Sequence, residues 1–364
     1  LNAQYLHKKT DIDRAIKNVI DTGNFIQGSQ VKELEALLST YIGANCITCA
    51  NGTDALYVAL RALGISAGDE VIVPSFTWVS TAEVVKLLNA KPVFADVKNN
   101  TFNIDIESIK SKLTDKTKAI IPVSMFGRSC EIIEICAIAK ENDLFVIEDS
   151  AQAFGSKYQG LMSCSYADIS TTSFFPAKPL GCYGDGGAIF SKDDEITEKI
   201  NSITKHGQKG RYNYINIGVN SRLDTIQAAI LIEKLKFYEE EITKRNEVAL
   251  AYSNKISSDL VELPHIPDSK NRSVWAQYTL LLNEKICHKR EIIMSKLREL
   301  GIPTALYYPE PLHLQSIYKN SDESLLKTEN IAKRVLSLPM HPYLDKDDVE
   351  NVSLKLTKVL ASML

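Results

Sequence analysis

The sequence has no apolar run near the ~20 residues that a membrane-spanning helix needs, and it has no excess of basic residues. Its 42 lysines and arginines are outnumbered by 45 aspartates and glutamates, for a formal net charge of −3. Broad binding to nucleic acid requires a clustered excess of lysine and arginine. The GxxxxGK[ST] loop for nucleoside triphosphates and a GxGxxG turn after a first strand are also absent. We therefore expect neither a membrane nor a nucleic-acid partner.

Cysteine is sparse, with seven residues scattered along the chain. Cys46 and Cys49 form a CxxC pair, but no second pair or nearby histidine completes a zinc site. The apolar residues around the pair predict two buried strand cysteines, so we expect no metal. No secretory leader precedes these cysteines, and a reducing cytoplasm is the compartment that we expect.

The length of 364 residues exceeds the size at which a single core usually divides, so we expect two domains. Apolar periodicity from Ile12 to Ile20, ended by Gly23, predicts an N-terminal helix. Short apolar runs then alternate with amphipathic stretches as in βαβ units, which predicts an α/β fold with a parallel sheet. The C-terminal part then has long charged helices around one predicted apolar strand, residues 274–282. We predict a large domain at 1–245, including the N-terminal helical segment, and a small domain at 246–364.

Candidate functional residues follow the apolar runs, at the strand ends where doubly wound sheets bind ligands. In residues 51–56 a glycine and Thr53 open a helix after a strand, where free N–H groups suit a phosphate. A plain N-cap with a tight turn explains the same pattern. Glu148 and Asp149 end a very apolar run, and a carboxylate there could bind magnesium, pair with a protonated ring nitrogen, or cap a helix.

Lys178 is surrounded by aromatic residues, prolines and glycines in residues 173–187. Partial burial would lower its pKa and make its amine a nucleophile for Schiff-base formation. A surface lysine in a loop is the alternative. A last segment, residues 218–224, places Asn220 and Arg222 before a helix, where capping and surface charge account for them equally well.

Taken in order, these segments resemble the DegT/DnrJ/StrS family of pyridoxal-phosphate (PLP) sugar aminotransferases. The similarity also includes residues 1–5, 68–72, 74–78 and 338–342, so it covers nearly the whole chain. It implies a fold-type I aminotransferase, with a mostly parallel mixed sheet, helices on both faces and a smaller C-terminal α/β domain. The lysine segment is most similar to members that aminate C3 of a UDP-linked 2-acetamido-3-keto hexose or hexuronate.

The resemblance also implies residue roles. Lys178 would bind PLP as a Schiff base and then move the proton, while Asp149 would pair with the ring nitrogen. The other implied cofactor contacts are Gln152 with the ring 3-hydroxyl, Trp78 with the ring face, and Gly52, Thr53, Ser173 and Asn220 of the partner subunit with the phosphate. The implied substrate contacts are Arg222, Tyr308 and His313.

The function implied by the resemblance is ping-pong transamination. L-Glutamate would convert PLP to pyridoxamine 5'-phosphate, which would aminate the nucleotide-linked keto-sugar for surface polysaccharide or lipopolysaccharide biosynthesis. Active sites would be shared in a homodimer. The alternatives are a dTDP-linked 3-keto- or 4-keto-6-deoxyhexose as substrate, a PLP lyase or racemase, and a non-catalytic regulatory protein on the same fold. Lys178 favours transfer, because dehydrating relatives have a histidine at this position.

Overall fold

The computed structural model describes residues 2–318 and 324–363. In these ranges the strands are β1 (Asn45–Cys49), β2 (Glu70–Pro74), β3 (Lys91–Ala95), β4 (Thr117–Ile120), β5 (Phe145–Asp149), β6 (Lys157–Tyr158), β7 (Leu161–Met162), β8 (Ile169–Ser173), β9 (Gly187–Ser191), β10 (Val261–Glu262), β11 (Tyr278–Leu282) and β12 (Val335–Leu338). The α-helices are α1 (Asn2–His7), α2 (Lys9–Thr22), α3 (Ser29–Ile42), α4 (Gly52–Ala62), α5 (Ser80–Leu87), α6 (Ile106–Ser111), α7 (Ile132–Glu141), α8 (Asp194–Ile203), α9 (Thr225–Leu235), α10 (Tyr238–Lys255), α11 (Arg290–Glu299), α12 (Leu326–Arg334) and α13 (Lys346–Ala361). Short 3-10 helices occupy Met125–Gly127, Cys287–Lys289 and Leu312–Leu314.

The large sheet has the strand order β1-β9-β8-β5-β4-β2-β3. Strand β9 runs antiparallel to both of its neighbours, and every other adjacent pair is parallel. Six strands therefore run in one direction, and their carboxyl ends lie at one edge of the sheet. Ligands bind at this edge in open α/β sheets.

Helices cover both faces of the large sheet, because successive residues of its strands point to opposite sides. Val71 and Val73 of β2 pack with α4, α5 and α8, whereas Ile72 between them packs with α7. Phe190 of β9 packs with α3 and α9. Burial on both faces explains the nearly continuous apolar runs of the strands. The expected mixed sheet with helices on both faces is confirmed.

A smaller antiparallel sheet, β10-β11-β12, shares a second core with α10, α11 and α13. The expected domain boundary at residue 245 falls inside α10. Ile242 of this helix packs in the core of the large sheet, and Tyr252 packs in the second core. The division into residues 1–245 and 246–364 therefore stays a prediction. No helix in the described ranges is long and apolar enough to cross a membrane.

Two details differ from the sequence-based expectations. Ile12 and Val19 of α2 are buried, but Ile20 is 56% exposed. Each residue of a helix is rotated by about 100° from the one before it, so the side chain of Ile20 points away from the face that packs Val19. The strand predicted over residues 274–282 begins only at Tyr278. Trp275 adopts a φ of 45°, outside the extended region, which interrupts the strand there.

Leu60 tests the packing of α4, the helix that begins at the edge where the motifs meet. It is fully buried, so Leu60→Ala should lower the free energy of unfolding by about 2–5 kcal/mol. Leu87→Ala is the matched control, because Leu87 is 66% exposed and should lose less than ~0.5 kcal/mol. Urea unfolding followed by circular dichroism measures both. Equal losses would contradict this packing.

Candidate active site

The strand ends bring three sequence motifs to one edge of the large sheet. Gly52 starts α4 three residues after β1 ends, Asp149 is the last residue of β5, and Ser173 is the last residue of β8. Ser173 pairs with Gly187 of β9, which also pairs with Cys49 of β1. Neighbouring strands therefore hold the glycine helix start, the carboxylate and the lysine-bearing segment side by side.

The N-terminus of α4 presents free hydrogen-bond donors. The Asn51 side chain accepts from the Asp54 N–H at 2.8 Å, and the Asn51 carbonyl accepts from the Ala55 N–H at 3.1 Å. The N–H groups of Gly52 and Thr53 have no acceptor among the described residues. Unused donors at a positive helix end favour an anion.

Glycine at position 52 lets α4 approach β8 closely. A Cβ on Gly52 would lie 2.8 Å from Ser173 Cβ and 3.3 Å from its Oγ, closer than side chains tolerate. The Ser173 hydroxyl therefore lies beside the free N–H groups of α4. The Thr53 hydroxyl shares a 2.7 Å hydrogen bond with Ser80, which joins the starts of α4 and α5. The arrangement suits a phosphate.

Asp149 is a buried carboxylate held by neutral donors. It accepts from the Ala151 N–H and from the Thr81 hydroxyl, both at 3.1 Å, and Thr81 also shares a hydrogen bond with Thr77. No cationic nitrogen of the described residues lies within ion-pair distance. Burial raises the pKa of Asp149, while the Ala151 N–H, the charge on Lys178 and Thr81 oppose that shift. Its free lone pairs suit a cationic N–H donor.

Lys178 is half-buried in the loop between β8 and β9. Its amine has no hydrogen-bond or ion-pair partner in the described part of the chain. Burial lowers the pKa of Lys178, and Asp149 opposes that shift. The two groups are therefore close enough to affect each other's pKa. A lowered pKa increases the neutral, nucleophilic fraction of the amine.

Gln152, Tyr308 and Trp78 form a wall next to Asp149. Gln152 accepts from the Phe126 N–H at 2.9 Å and donates to the Tyr308 hydroxyl at 3.2 Å, which leaves one amide hydrogen unused. The rings of Trp78 and Tyr308 lie 6.1 Å apart. Trp78 is 59% exposed, so one aromatic face is open to a ligand. Burial raises the pKa of Tyr308, which keeps its hydroxyl protonated.

The other residues expected at the site, Asn220, Arg222 and His313, are not brought into contact with Asp149 or Lys178. Asn220 is exposed, and neither it nor Arg222 has a side-chain hydrogen-bond partner within the described ranges. His313 is only 2% exposed. Its Nδ1 pairs with Ser75 Oγ at 2.6 Å and its Nε2 with Glu329 Oε1 at 3.4 Å. A substrate contact by His313 would require one of these bonds to break, and that role stays a prediction.

Sequence reasoning missed Thr81 as a donor to Asp149. Thr77 and Thr81 are four residues apart just after an apolar strand, and this spacing is the signal that was available.

The magnesium alternative for Asp149 gains no support. No group of three or more histidine, cysteine, aspartate or glutamate side chains in residues 2–318 and 324–363 could hold a metal ion.

Known proteins resemble this chain over nearly its full length. The model of the DegT/DnrJ/EryC1/StrS aminotransferase family matches residues 7–357. The chain is 46% identical to the UDP-2-acetamido-2-deoxy-3-oxo-D-glucuronate aminotransferase of Pseudomonas aeruginosa, over 98% of both chains. It is 41% identical to a pleiotropic regulatory protein of Geobacillus stearothermophilus, over 98% of this chain and 96% of that one. It is 37% identical to a UDP-N-acetyl-3-dehydro-alpha-D-glucosamine 3-aminotransferase of Acidithiobacillus ferrooxidans, over 99% and 96%.

Solved structures agree with this similarity. A DegT DnrJ EryC1 StrS aminotransferase from Brucella abortus superimposes with a TM-score of 0.91 at 41% identity, covering 99% of this chain and 97% of that one. NtdA from Bacillus subtilis, solved with bound cofactor PMP, has a TM-score of 0.91 at 32% identity, covering 98% and 82%. The expected fold-type I aminotransferase architecture is therefore confirmed.

The opposition between Asp149 and Lys178 gives a pH prediction. The negative charge of Asp149 holds the pKa of Lys178 up against burial, so Asp149→Asn should lower that pKa further. The midpoint for acetylation of Lys178 should then move to lower pH. Peptide mass spectrometry of the cofactor-free protein measures it. Asp185→Asn, at an exposed acid of the same loop, is the control. An unchanged or higher midpoint in Asp149→Asn would refute the interaction.

Proposed function

Because the chain belongs to the DegT/DnrJ/EryC1/StrS aminotransferase family, we propose that it transfers an amino group from L-glutamate to the C3 ketone of a UDP-linked 2-acetamido-3-keto hexose or hexuronate. The observation that carries the substrate class is the 46% identity, over 98% of the chain, to an aminotransferase for a UDP-linked 3-oxo-glucuronate. A second relative acts on a UDP-linked 3-dehydro-glucosamine.

The family depends on PLP, and the residues of this site fit that cofactor. The carboxylate of Asp149 has neutral donors only, so it has room for the protonated ring nitrogen. The amine of Lys178 is free to bond the cofactor aldehyde. The unbonded N–H groups of Gly52 and Thr53 lie beside Ser173, which α4 approaches so closely that a Cβ at position 52 would clash with it. We therefore propose that these five residues hold PLP, with Trp78 on the ring face and Gln152 at the 3-hydroxyl.

PLP, when bound, supplies an electron sink that stabilises negative charge on the substrate carbon. The protein residues move the protons, position the reacting groups and exclude water. Asp149 would accept from the protonated ring nitrogen and thereby keep the proton on it. Lys178 Nζ accepts the proton from the α-carbon of the donor and returns a proton during amination of the sugar. Trp78 and Tyr308 position the reacting groups and exclude water on their side.

We further propose a homodimer with shared active sites. The support is an exposed apolar segment, residues 212–217, in which Tyr212 and Ile217 are 72% and 79% exposed. Apolar surface of this kind usually meets a partner. Asn220 lies three residues after Ile217, is exposed, and has a free amide for the phosphate of the partner subunit's site. Arg222, two residues on, would serve an anionic group of the substrate or donor.

We place the enzyme in the cytoplasm, in the synthesis of a 3-amino sugar for surface polysaccharide or lipopolysaccharide. The regulatory alternative has one observation in its favour, the 41% identity to a pleiotropic regulatory protein. The free amine of Lys178 opposite the buried carboxylate of Asp149 favours catalysis over that alternative. The dTDP-linked alternative has in its favour the 39% identity to a dTDP-3-amino-3,6-dideoxy-alpha-D-galactopyranose transaminase, which is below the 46% of the UDP-sugar relative.

Turnover in the reverse direction tests the substrate, because 3-amino sugars are more stable than 3-keto sugars. With PLP and 2-oxoglutarate, the enzyme should form glutamate from a UDP-linked 2-acetamido-3-amino hexose or hexuronate. We expect kcat/KM to exceed that for a dTDP-linked 3-amino-6-deoxyhexose at least ~10-fold. Lys178→Ala should form no glutamate. Turnover of the dTDP sugar alone would refute the proposed substrate, and absence of turnover with all three sugars would favour the regulatory alternative.

The helix start at Gly52 gives a second test. Gly52→Ala places a Cβ 2.8 Å from Ser173 Cβ, so it should weaken PLP binding at least ~10-fold by displacing Ser173 and the start of α4 from each other. Titration of the visible absorbance with PLP gives the affinity. Thr53→Ser is the matched control, since it keeps the backbone donor and the hydroxyl bonded to Ser80. Equal affinities of parent and Gly52→Ala would count against the phosphate position.

A further inference from the structure

Lys234 in α9 is a buried lysine that the proposed chemistry does not use. It is 1% exposed and forms no ion pair with a described residue. Its Nζ donates to the Gly181 carbonyl oxygen at 2.6 Å and lies 4.3 Å from the centroid of the Tyr183 ring. Burial lowers the pKa of Lys234 to about 8, against the opposing charge of Glu241. A cation in such a place is costly, and packing alone would be served better by an apolar side chain.

Both contacts of Lys234 belong to the segment that carries Lys178, residues 174–186, here called the lysine loop. The loop is folded back on itself. The Lys178 N–H donates to the Phe175 carbonyl and the Cys182 N–H to the Phe174 carbonyl, both at 2.8 Å. A Cβ on Gly181 would lie 2.6 Å from the Phe175 carbonyl oxygen. A shift of Gly181 would therefore move the turn that holds Lys178.

Helix α9 holds the lysine loop at a second point. Gln227, seven residues before Lys234 and so on the same helix face, accepts from the Tyr183 N–H at 2.8 Å. The lysine loop is thus bonded to α9 at Gly181 and at Tyr183, the residues on either side of Cys182. The hydroxyl of Tyr183 is buried and has no hydrogen-bond partner in the described chain. Tyr183 therefore contacts α9 through its backbone N–H, which bonds Gln227, and through its ring, which faces Lys234.

We propose that Lys234 is a positioning residue for Lys178: its ammonium bonds Gly181 and the Tyr183 ring, and thereby fixes the lysine loop with the Lys178 amine opposite Asp149. A charged donor suits this place because it satisfies a buried carbonyl and an aromatic face together. A methionine would leave the Gly181 carbonyl without a donor. The inference rests on the proposed role of Lys178 in binding PLP.

PLP titrations of the full-length protein test the inference, with visible absorbance as the measure of lysine-bound cofactor. Lys234→Met should weaken PLP binding at least tenfold. Lys234→Arg keeps a charged donor and should recover most of the affinity. The matched control is Lys236→Met, since Lys236 is an exposed lysine two residues further on, at the end of α9, and is paired with Glu233. It should bind PLP like the parent. Thermal unfolding of each cofactor-free variant shows whether it folds.

A second pair of variants keeps the test valid if Lys234→Met does not fold. Tyr183→Leu removes the ring from the loop side and should weaken PLP binding, while Tyr183→Phe, which removes only an unbonded hydroxyl, should not. Unchanged affinity in folded Lys234→Met or in Tyr183→Leu would overturn the inference alone. Equal weakness of the methionine and arginine variants would also overturn it, because shape rather than the charged donor would then matter. A parent without the absorbance band would overturn the role of Lys178 as well.

Discussion

The site depends on one electrostatic constraint, a buried carboxylate with no cationic partner in bonding distance. Asp149 is 5% exposed, and its described hydrogen bonds come from a hydroxyl and a backbone N–H. Burial alone would push it toward its neutral form. The charge of Asp149 raises the pKa of Lys178, whereas burial of the Lys178 amine lowers that pKa. A protonated ring nitrogen beside Asp149 would resolve the unpaired charge and leave Lys178 free to react.

The fold makes this arrangement possible through a single reversed strand. Because β9 alone runs against its neighbours, the lysine loop returns along β8 and sets Gly187 beside both Ser173 and Cys49. The start of α4 at Gly52 and the lysine loop therefore adjoin. Helix α9 is bonded to the loop at Gly181 and Tyr183, and it begins five residues after Asn220, so the segment of the proposed dimer contact leads directly into the helix that holds the lysine loop.

Much of this was predictable from the sequence, because apolar runs locate buried strands and the polar residues after them locate a strand-end site. This pattern predicted the segments that contain Gly52, Asp149 and Lys178, whereas the role of Ser173 came only from the family resemblance. The contacts that cross between distant segments were not. The bond of Thr81 to Asp149 and the two bonds of His313 depend on packing of elements far apart in sequence. Lys234 could have been noticed as a lysine on the apolar face of α9, but its partner Gly181 lies 53 residues away.

The central claim is that Lys178, and no other lysine, bonds the cofactor. Borohydride reduction of the PLP-loaded full-length protein, followed by peptide mapping, tests it most directly because the reduction makes the bond permanent. The account predicts one pyridoxyl group per chain, on Lys178. A pyridoxyl group on Lys234, the buried lysine beside the loop, or on no lysine at all would contradict it.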